Sequence, residues 1–200
     1  MIVIKLKGGL GNQLFQYAIA RAFSLETNRS FQLDISIFEW YKLHNYGLYH
    51  FNIQPEFYTP ESKWKMKLKK LFNKIVFYNE DHHTFNFNPN LIHTKSDVLF
   101  LEGYFQSQKY FLKYEKEIRA DFEIVSPLKQ QTIEMVAYMK SVHAVSIHFR
   151  RGDYVGNAMH DTDKTIYYKE AIKLIESKVE NPVYFLFSDD ITWVKENFVT

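Results

Sequence analysis

Two adjacent arginines follow a short apolar segment in the second half of the chain. Arg150 and Arg151 come just after the predicted strand Ala144–Ile147, and Asp153 lies close behind them. Planar guanidinium groups bind phosphate oxygens in a bidentate way, and ligands of open α/β sheets bind beyond the carboxyl ends of the strands. The pattern favours a diphosphate site. The alternative is a surface ion pair of an arginine with Asp153, which contributes about 0–1 kcal/mol.

An acidic pair follows a second apolar segment. Residues 182–187 predict a strand that ends in Ser188, Asp189 and Asp190, and residues 163–178 have apolar side chains at helical spacing. This order of strand, helix and strand predicts a parallel pair joined by a right-handed crossover. We therefore expect the aspartates to lie beside the arginines and to position them. The alternative role for Ser188 or Asp189 is to cap the next helix.

The N-terminus predicts a second βαβ unit. Residues 1–6 and 30–33 predict buried strands, residues 7–13 a glycine-rich turn and residues 14–23 a helix. Gly9 and Gly11 match the first two glycines of the dinucleotide fingerprint, but Leu14 replaces the third. A turn that presents backbone N–H groups, Asn12 and Gln13 to a sugar or phosphate is favoured over NAD binding. A plain tight turn would explain the glycines but not the two amides.

The remaining segments predict elements that carry and connect these sites. Residues 98–101 predict a strand, and residues 102–107 have the composition of a sugar-binding rim. The equal alternative is a helix over 108–116 capped by Ser107, and both can hold. Residues 121–128 are expected to form a linker and residues 128–140 a helix. Residues 61–76 predict a lysine-rich amphipathic helix. His82 and His83 are adjacent, with no third ligand nearby, so a zinc site there is not expected.

Composition limits the class of protein. The 200 residues are 46% hydrophobic and 18% aromatic, as in a globular chain of one or two domains. A formal net charge of +2 is too small to indicate a nucleic-acid-binding protein. The chain has no cysteine, which excludes disulfides and thiolate metal sites and fits a reducing compartment. No apolar run reaches about 18 residues, so we expect a soluble, cytoplasmic protein.

Four stretches of the chain resemble one family. They are KGGLGNQLFQYA at 7–18, LEGYFQSQKYF at 101–111, HFRRGDY at 148–154 and FSDD at 187–190. Their order and spacing resemble the bacterial alpha-1,2-fucosyltransferases, glycosyltransferase family eleven, over nearly the whole chain. The resemblance implies a GT-B-like α/β fold with two Rossmann-like domains facing a cleft. Residues 1–125 would form the acceptor-side domain, and residues 126–200 would begin the domain that binds GDP-fucose.

The resemblance also implies an activity and site residues. The activity is inverting transfer of L-fucose from GDP-fucose to a galactoside hydroxyl, usually O2, with no metal or other cofactor required. Arg150 would contact the diphosphate, and Asp153, with His148 as second choice, would be the base that inversion requires. Asp153 could equally orient Arg150 or cap a helix. The candidate catalytic residues are Arg150, Asp153 and Asn12. The candidate substrate-binding residues are Gly9, Gly11, Gln13, His148, Arg151, Tyr154, Ser188, Asp189 and Asp190.

The sequence also departs from the family pattern. That pattern continues beyond the FSDD block with further strands, so we expect that this chain lacks part of the second domain and is inactive or weakly active alone. Two alternatives remain open: a non-catalytic module that binds carbohydrate or GDP, and an NAD-linked oxidoreductase built on the N-terminal unit. Asp34, near the position of a ribose-binding acid, belongs to the second alternative.

The partners expected for a bacterial enzyme of this kind are GDP-fucose and a galactose-containing glycan, such as a surface polysaccharide. The lysine-rich helix over 61–76 has two readings. It is either a solvated surface helix or a peripheral contact with an anionic membrane, which would place the protein at the inner face of that membrane.

Overall fold

The computed structural model describes residues 1–41, 43–60, 74–81, 86–152, 155–156 and 165–198 of the chain. These fall into two compact units, Met1–Ser126 and Pro127–Thr200, and each contains a parallel sheet. The predicted α/β class is therefore confirmed. Several residues singled out in the sequence lie outside the described ranges: His82, His83, Asp153, Tyr154 and 61–73 of the predicted lysine-rich helix.

Four parallel strands form the sheet of the first unit. They are β1 (Ile2–Lys5), β2 (Phe31–Asp34), β3 (Ile75–Asn79) and β4 (Val98–Glu102), in the order β2-β1-β4-β3. In the middle of the sheet, Ile4 of β1 pairs with Leu33 on one side and Leu101 on the other, and all three side chains are buried. Because the strands are parallel, every loop that leaves a carboxyl end emerges at the same edge of the sheet.

Strand β3 was not expected from the sequence. The apolar spacing from residue 61 predicts a helix that continues to Val76, but Ile75 and Val76 belong to β3. β-Branched and aromatic residues favour a strand, and the ring of Phe77 stacks on that of Phe100 in β4 with centroids 4.7 Å apart. The predicted end of that helix is therefore wrong, because pairing with β4 outweighs the helical spacing.

Helix α1 (Leu10–Thr27) starts earlier than the predicted Leu14. Gly8, at φ +79°, turns the chain sharply after β1. Gly9 is the N-cap, and its carbonyl oxygen accepts the N–H of Gln13 at 3.1 Å. The amides predicted to lie in a loop therefore belong to the first turns of a helix. Along its length α1 contributes aromatic and aliphatic side chains to the core above β1.

Three short helical segments replace the helix predicted from Gln108. They are the 3-10 helices Gln108–Tyr110 and Leu112–Tyr114, followed by α2 (Glu115–Asp121). Ser107 precedes the first of them without a side-chain capping hydrogen bond, so its predicted capping role is wrong. The side chain of Tyr110 is buried in the core, and Phe111, at φ −138°, interrupts the helical backbone.

The predicted linker over 121–128 begins within the first unit. The Asp121 carboxylate accepts hydrogen bonds from Tyr17 Oη at 2.9 Å and Arg21 Nε at 2.8 Å. Ile124 then forms an antiparallel bridge with Phe51. Residue 121 is thus fixed to α1, and the chain passes to the second unit only after Ser126.

The second unit is built on two parallel strands. β5 (His143–Phe149) pairs with β6 (Pro182–Ser188) along its whole length. Helix α3 (Gln130–Ser141) precedes β5, α4 (Thr165–Glu176) connects the strands, and α5 (Ile191–Asn197) follows β6. The predicted parallel pair is confirmed, and β5 extends beyond its predicted end at Ile147 to the buried Phe149.

Gly103 directly follows β4 and has no room for a side chain. A methyl group there would lie 2.5 Å from Cβ of Glu80, an atom that no side-chain rotation can move away. We expect Gly103→Ala to lower the free energy of unfolding by about 1–3 kcal/mol, measured by urea denaturation. The matched control is Gly11→Ala in α1, where a methyl group meets nothing within 4 Å. Equal stability of the two variants would contradict this packing.

Candidate functional site

The carboxyl ends of β5 and β6 bring two arginines and two aspartates together. The Nε atom of Arg150 lies 3.8 Å from Oδ2 of Asp189, and Nε of Arg151 lies 3.2 Å from Oδ2 of Asp190. All four side chains follow the last paired residues of the two strands. The expected neighbourhood of opposite charges at this edge is therefore confirmed.

Ser188 and Asp190 fasten this edge internally. Ser188 Oγ donates to the carbonyl oxygen of Phe149 at 2.8 Å and accepts the N–H of Asp190 at 2.9 Å. Oδ1 of Asp190 accepts the N–H of Trp193 at 3.1 Å, so Asp190 caps α5. The sequence placed a possible cap at Ser188 or Asp189. The cap is one or two residues later, because Ser188 is still the last residue of β6.

The two arginines differ in their surroundings. The guanidinium carbon of Arg151 lies 3.8 Å from the centroid of the Trp193 ring, and the same guanidinium pairs with Asp190. Its side chain is 26% exposed, against 44% for Arg150. A cation–π contact and an ion pair thus hold Arg151 against α5. Arg150 is the more accessible of the two cations.

Asp189 is held by the backbone that carries the arginines. Its Oδ1 accepts the N–H of Arg151 at 2.9 Å. This hydrogen bond, together with the Gly152 N–H and the charge of Arg150, lowers the pKa of Asp189, so the carboxylate stays ionised at lower pH than an ordinary aspartate. A methyl group on Gly152 would lie 2.5 Å from Asp189 Oδ2. The glycine therefore permits the two loops to approach closely.

A cavity of about 730 Å³ lies along β5 and α4, within the second unit. This volume is in the range of small-molecule sites. Arg150 and His148 line it together with aromatic and aliphatic side chains that include Tyr167, Tyr168 and Ile172. The backbone carbonyl of His148 accepts a hydrogen bond from Tyr168 Oη at 3.1 Å. The cavity thus combines apolar walls with a cationic group.

In the first unit, a buried glutamine ties together the ends of β1 and β4. Gln16 is fully buried in α1. Its Oε1 accepts the N–H of Lys7 at 3.0 Å, and its Nε2 donates to the carbonyl oxygen of Gly103 at 2.9 Å. One amide therefore satisfies two backbone groups that would otherwise be buried without partners.

A second buried glutamine ties the glycine turn to the loop over 45–47. Gln13 Nε2 donates to the carbonyl oxygens of Gly8 at 3.0 Å and Asn45 at 2.9 Å, and its Oε1 accepts the N–H of Gly47 at 2.9 Å. Gln13 was predicted to bind substrate. Its side chain is fully buried and both its N–H donors are used within the protein, so its role here is to fix the loop.

Glu80, which is only 3% exposed, shapes the loop after β4. Its Oε2 accepts the N–H groups of Tyr104 at 2.7 Å and Phe105 at 2.9 Å. Phe105 has φ +51° and a fully buried ring, so the loop bends sharply around the carboxylate. The bend brings the Tyr104 ring to 5.2 Å from Lys7 Nζ. Lys7 Nζ also lies 3.4 Å from the Glu102 carboxylate.

Asn12, a predicted site residue, is partly exposed near the start of α1. Its Oδ1 accepts a hydrogen bond from Gln106 Nε2 at 2.7 Å. A methyl group on Gly8 would lie 2.6 Å from Asn12 Nδ2, so the glycine leaves room for the amide as well as allowing the turn. Gly11 is exposed one residue earlier in α1. The first unit thus presents an amide pair beside a tyrosine and a lysine.

The sequence pattern did not indicate that Glu80 and His44 lie near the carboxyl ends of the strands. Glu80 follows β3, which was not predicted, so nothing in the sequence marked this residue as the end of a strand. His44 stands in an irregular aromatic-rich segment, and only the hydrogen bonds of Gln13 reveal that this segment returns to the glycine turn.

Within the described part of the chain, no group of three histidine, aspartate or glutamate side chains could hold a metal ion. None of its helices is long and apolar enough to cross a membrane.

Comparison with known proteins places this chain in a family. Residues 1–200 match the family described as Glycosyl transferase family 11. An alpha-1,2-colitosyltransferase of Escherichia coli is 31% identical over 211 residues, which cover 98% of this chain and 71% of the relative. The O-antigen biosynthesis glycosyltransferase WbnK of Escherichia coli is 27% identical over 225 residues, covering 96% of this chain and 74% of the relative.

The different surroundings of the two arginines predict different effects on stability. Arg151→Ala removes the contact with Trp193 and the pair with Asp190, so we expect it to lower the free energy of unfolding by about 1 kcal/mol. The pair of Arg150 with Asp189 is longer and more exposed, so we expect Arg150→Ala to cost less stability than Arg151→Ala. Urea denaturation of the purified variants measures both values. A larger loss for Arg150→Ala than for Arg151→Ala would contradict the assignment.

Proposed function

Because the chain belongs to glycosyl transferase family 11, we propose that it transfers L-fucose from GDP-fucose to a hydroxyl of a galactose-containing glycan. Glycosyltransferase activity is the part that the family carries. The fucosyl donor, the galactoside acceptor and inversion at the transferred carbon are the finer parts of the proposal. Its partners are thus a sugar nucleotide and a glycan.

The second unit is proposed as the donor side. The observation that carries this assignment is the accessible Arg150 at the carboxyl end of β5, lining a cavity of about 730 Å³. A guanidinium suits a diphosphate because it can donate two parallel hydrogen bonds to phosphate oxygens. Asp189 lies 3.8 Å from this guanidinium, and Arg151 fixes the loop against α5. Apolar and aromatic cavity walls suit the rest of the donor.

The chemistry follows from that placement. An acceptor hydroxyl oxygen attacks C1 of fucose while the bond from C1 to the phosphate oxygen breaks, and GDP leaves with the bonding electrons. Negative charge therefore develops on the diphosphate, where a fixed guanidinium stabilises it most. Arg150 is proposed to supply this charge, so the reaction needs no metal. Inversion at C1 further requires a group that takes the proton of the acceptor hydroxyl.

The first unit is proposed as the acceptor side. Asn12, Gln106 and Tyr104 stand at the edge where all four strands end. Side-chain amides bind sugar hydroxyls as both donors and acceptors, and an aromatic ring offers an apolar face. Gly9 and Gly11 contribute backbone at the same edge, whereas the side chain of Gln13 acts by holding the neighbouring loop.

The proposal includes a fold type and a location. The two units would be the two Rossmann-like domains of a GT-B-like enzyme, and the protein would work in the cytoplasm, with peripheral membrane contact through the lysine-rich segment 61–73. Asp153 and Tyr154 stay predicted site residues.

A second donor is favoured by one comparison. The relative that is 31% identical is an alpha-1,2-colitosyltransferase, so a nucleotide-linked colitose is the alternative to GDP-fucose. The proposed Arg150 contact is with the diphosphate and is the same for both donors. Product analysis with each donor would distinguish them. Binding of either donor without transfer would instead support the non-catalytic module.

Donor binding tests the role of Arg150. We expect GDP-fucose to bind the protein in the presence of EDTA, and Arg150→Ala to weaken binding at least tenfold, which corresponds to about 1.4 kcal/mol. The reason is the loss of a charge-assisted, bidentate contact with the diphosphate. Isothermal titration calorimetry measures both dissociation constants.

The matched control for this titration is Arg119→Ala. Arg119 is 77% exposed in the first unit and pairs with Glu115 one helical turn away, so its removal should leave the affinity unchanged. Equal affinity of Arg150→Ala and the parent, or binding abolished by EDTA, would contradict the proposed donor site.

A further inference from the structure

His44 lies against the glycine turn at the carboxyl end of β1. A methyl group on Gly9 would lie 3.7 Å from Cε1 of His44 and 3.9 Å from each ring nitrogen. The imidazole thus faces Gly9, the N-cap residue of α1, and the His44 side chain is only partly exposed. Gly9 is followed closely by Asn12, the amide at the surface of the same edge.

The position of His44 is fixed by its neighbours in the chain. Gln13, fully buried, binds the carbonyl of Asn45 and the N–H of Gly47, so the backbone directly after His44 is tied to the glycine turn. The Tyr41 ring packs beside the imidazole with centroids 6.1 Å apart. The histidine is therefore held at this edge by a buried hydrogen-bond network as well as by its own contacts.

Three carboxylates near this edge are already engaged. Glu102 pairs with two lysines, Glu80 accepts two backbone N–H groups, and Asp34 accepts the N–H of Ser36 at 3.0 Å. His44, by contrast, forms no hydrogen bond or ion pair within the described part of the chain. A partly exposed imidazole without a hydrogen-bond partner can take up a proton from a bound molecule.

We propose that His44 is the general base of the transfer reaction. A ring nitrogen of His44 accepts the proton of the acceptor hydroxyl as that oxygen bonds to C1 of the donor sugar, and the nucleotide leaves with the electrons of the broken C1–O bond. The inference rests on the proposed function. It assigns to the first unit a role that was predicted for Asp153, with His148 as second choice.

Kinetics of variants test the assignment. We expect His44→Gln to lower kcat about a hundredfold or more with a much smaller change in KM, the scale of general base catalysis. Added imidazole should partly restore the activity of His44→Ala. Asp153→Asn should reduce kcat less than His44→Gln does. The control is His93→Gln, an exposed histidine elsewhere in the first unit, which should keep the parent kcat. Unchanged kcat in His44→Gln would overturn the proposal.

A binding measurement separates this inference from the proposed function. Side-chain NMR of ¹⁵N-labelled histidines, with the His44 signal assigned through His44→Gln, would be followed as methyl galactoside is added. We expect the His44 signal to shift, and to shift less with the 2-deoxy analogue, which lacks the reacting hydroxyl. If the protein transfers no sugar, the proposed function fails. The titration still shows whether His44 contacts the reacting hydroxyl of the galactoside. An unchanged His44 signal in the presence of bound galactoside would overturn the assignment of His44 as the general base.

Discussion

Two buried side-chain amides hold the loops that lie at the sheet edge of the first unit. Gln16 joins the chain after β1 to the chain after β4, and Gln13 joins the glycine turn to residues 45–47. The hydrogen bond from Gln16 to the carbonyl of Gly103 is buried, and there an unsatisfied backbone group costs about 1–3 kcal/mol. Three loops from separate parts of the sequence are thereby held at one sheet edge. These amides therefore help to hold Asn12, Tyr104 and His44 in place, together with the Gln106–Asn12 hydrogen bond and the Glu80 carboxylate.

In the second unit, ion pairs join the loops at the sheet edge. Its sheet edge carries two arginines, and each is matched by an aspartate from the neighbouring strand. Asp190 serves both α5, as its cap, and Arg151, as its ion partner, so the position of one arginine depends on the start of a helix. This division leaves Arg150 as the more accessible cation.

The sequence predicted β1 and β4, whose residues are mainly apolar, and the shorter β2, in which Leu33 is the buried residue. It also predicted the approach of Arg150 and Asp189, since parallel strands bring their carboxyl ends together. It did not predict β3, because the apolar residues that lead into this segment have helical spacing. Pairing with β4 makes the segment a strand. For the same reason it missed Glu80, and it treated Gln13 as a surface group. Burial of a polar side chain depends on long-range contacts that local spacing does not contain.

We propose that the carboxyl edge of β5 and β6 binds the sugar nucleotide and that the glycine turn of the first unit does not. Hydrogen–deuterium exchange followed by mass spectrometry, with and without GDP, measures this directly. The account predicts slower exchange in peptides that contain residues 148–152 and 187–190, and no change over residues 8–13. Protection confined to residues 8–13 would contradict it and would favour a nucleotide site on the N-terminal βαβ unit.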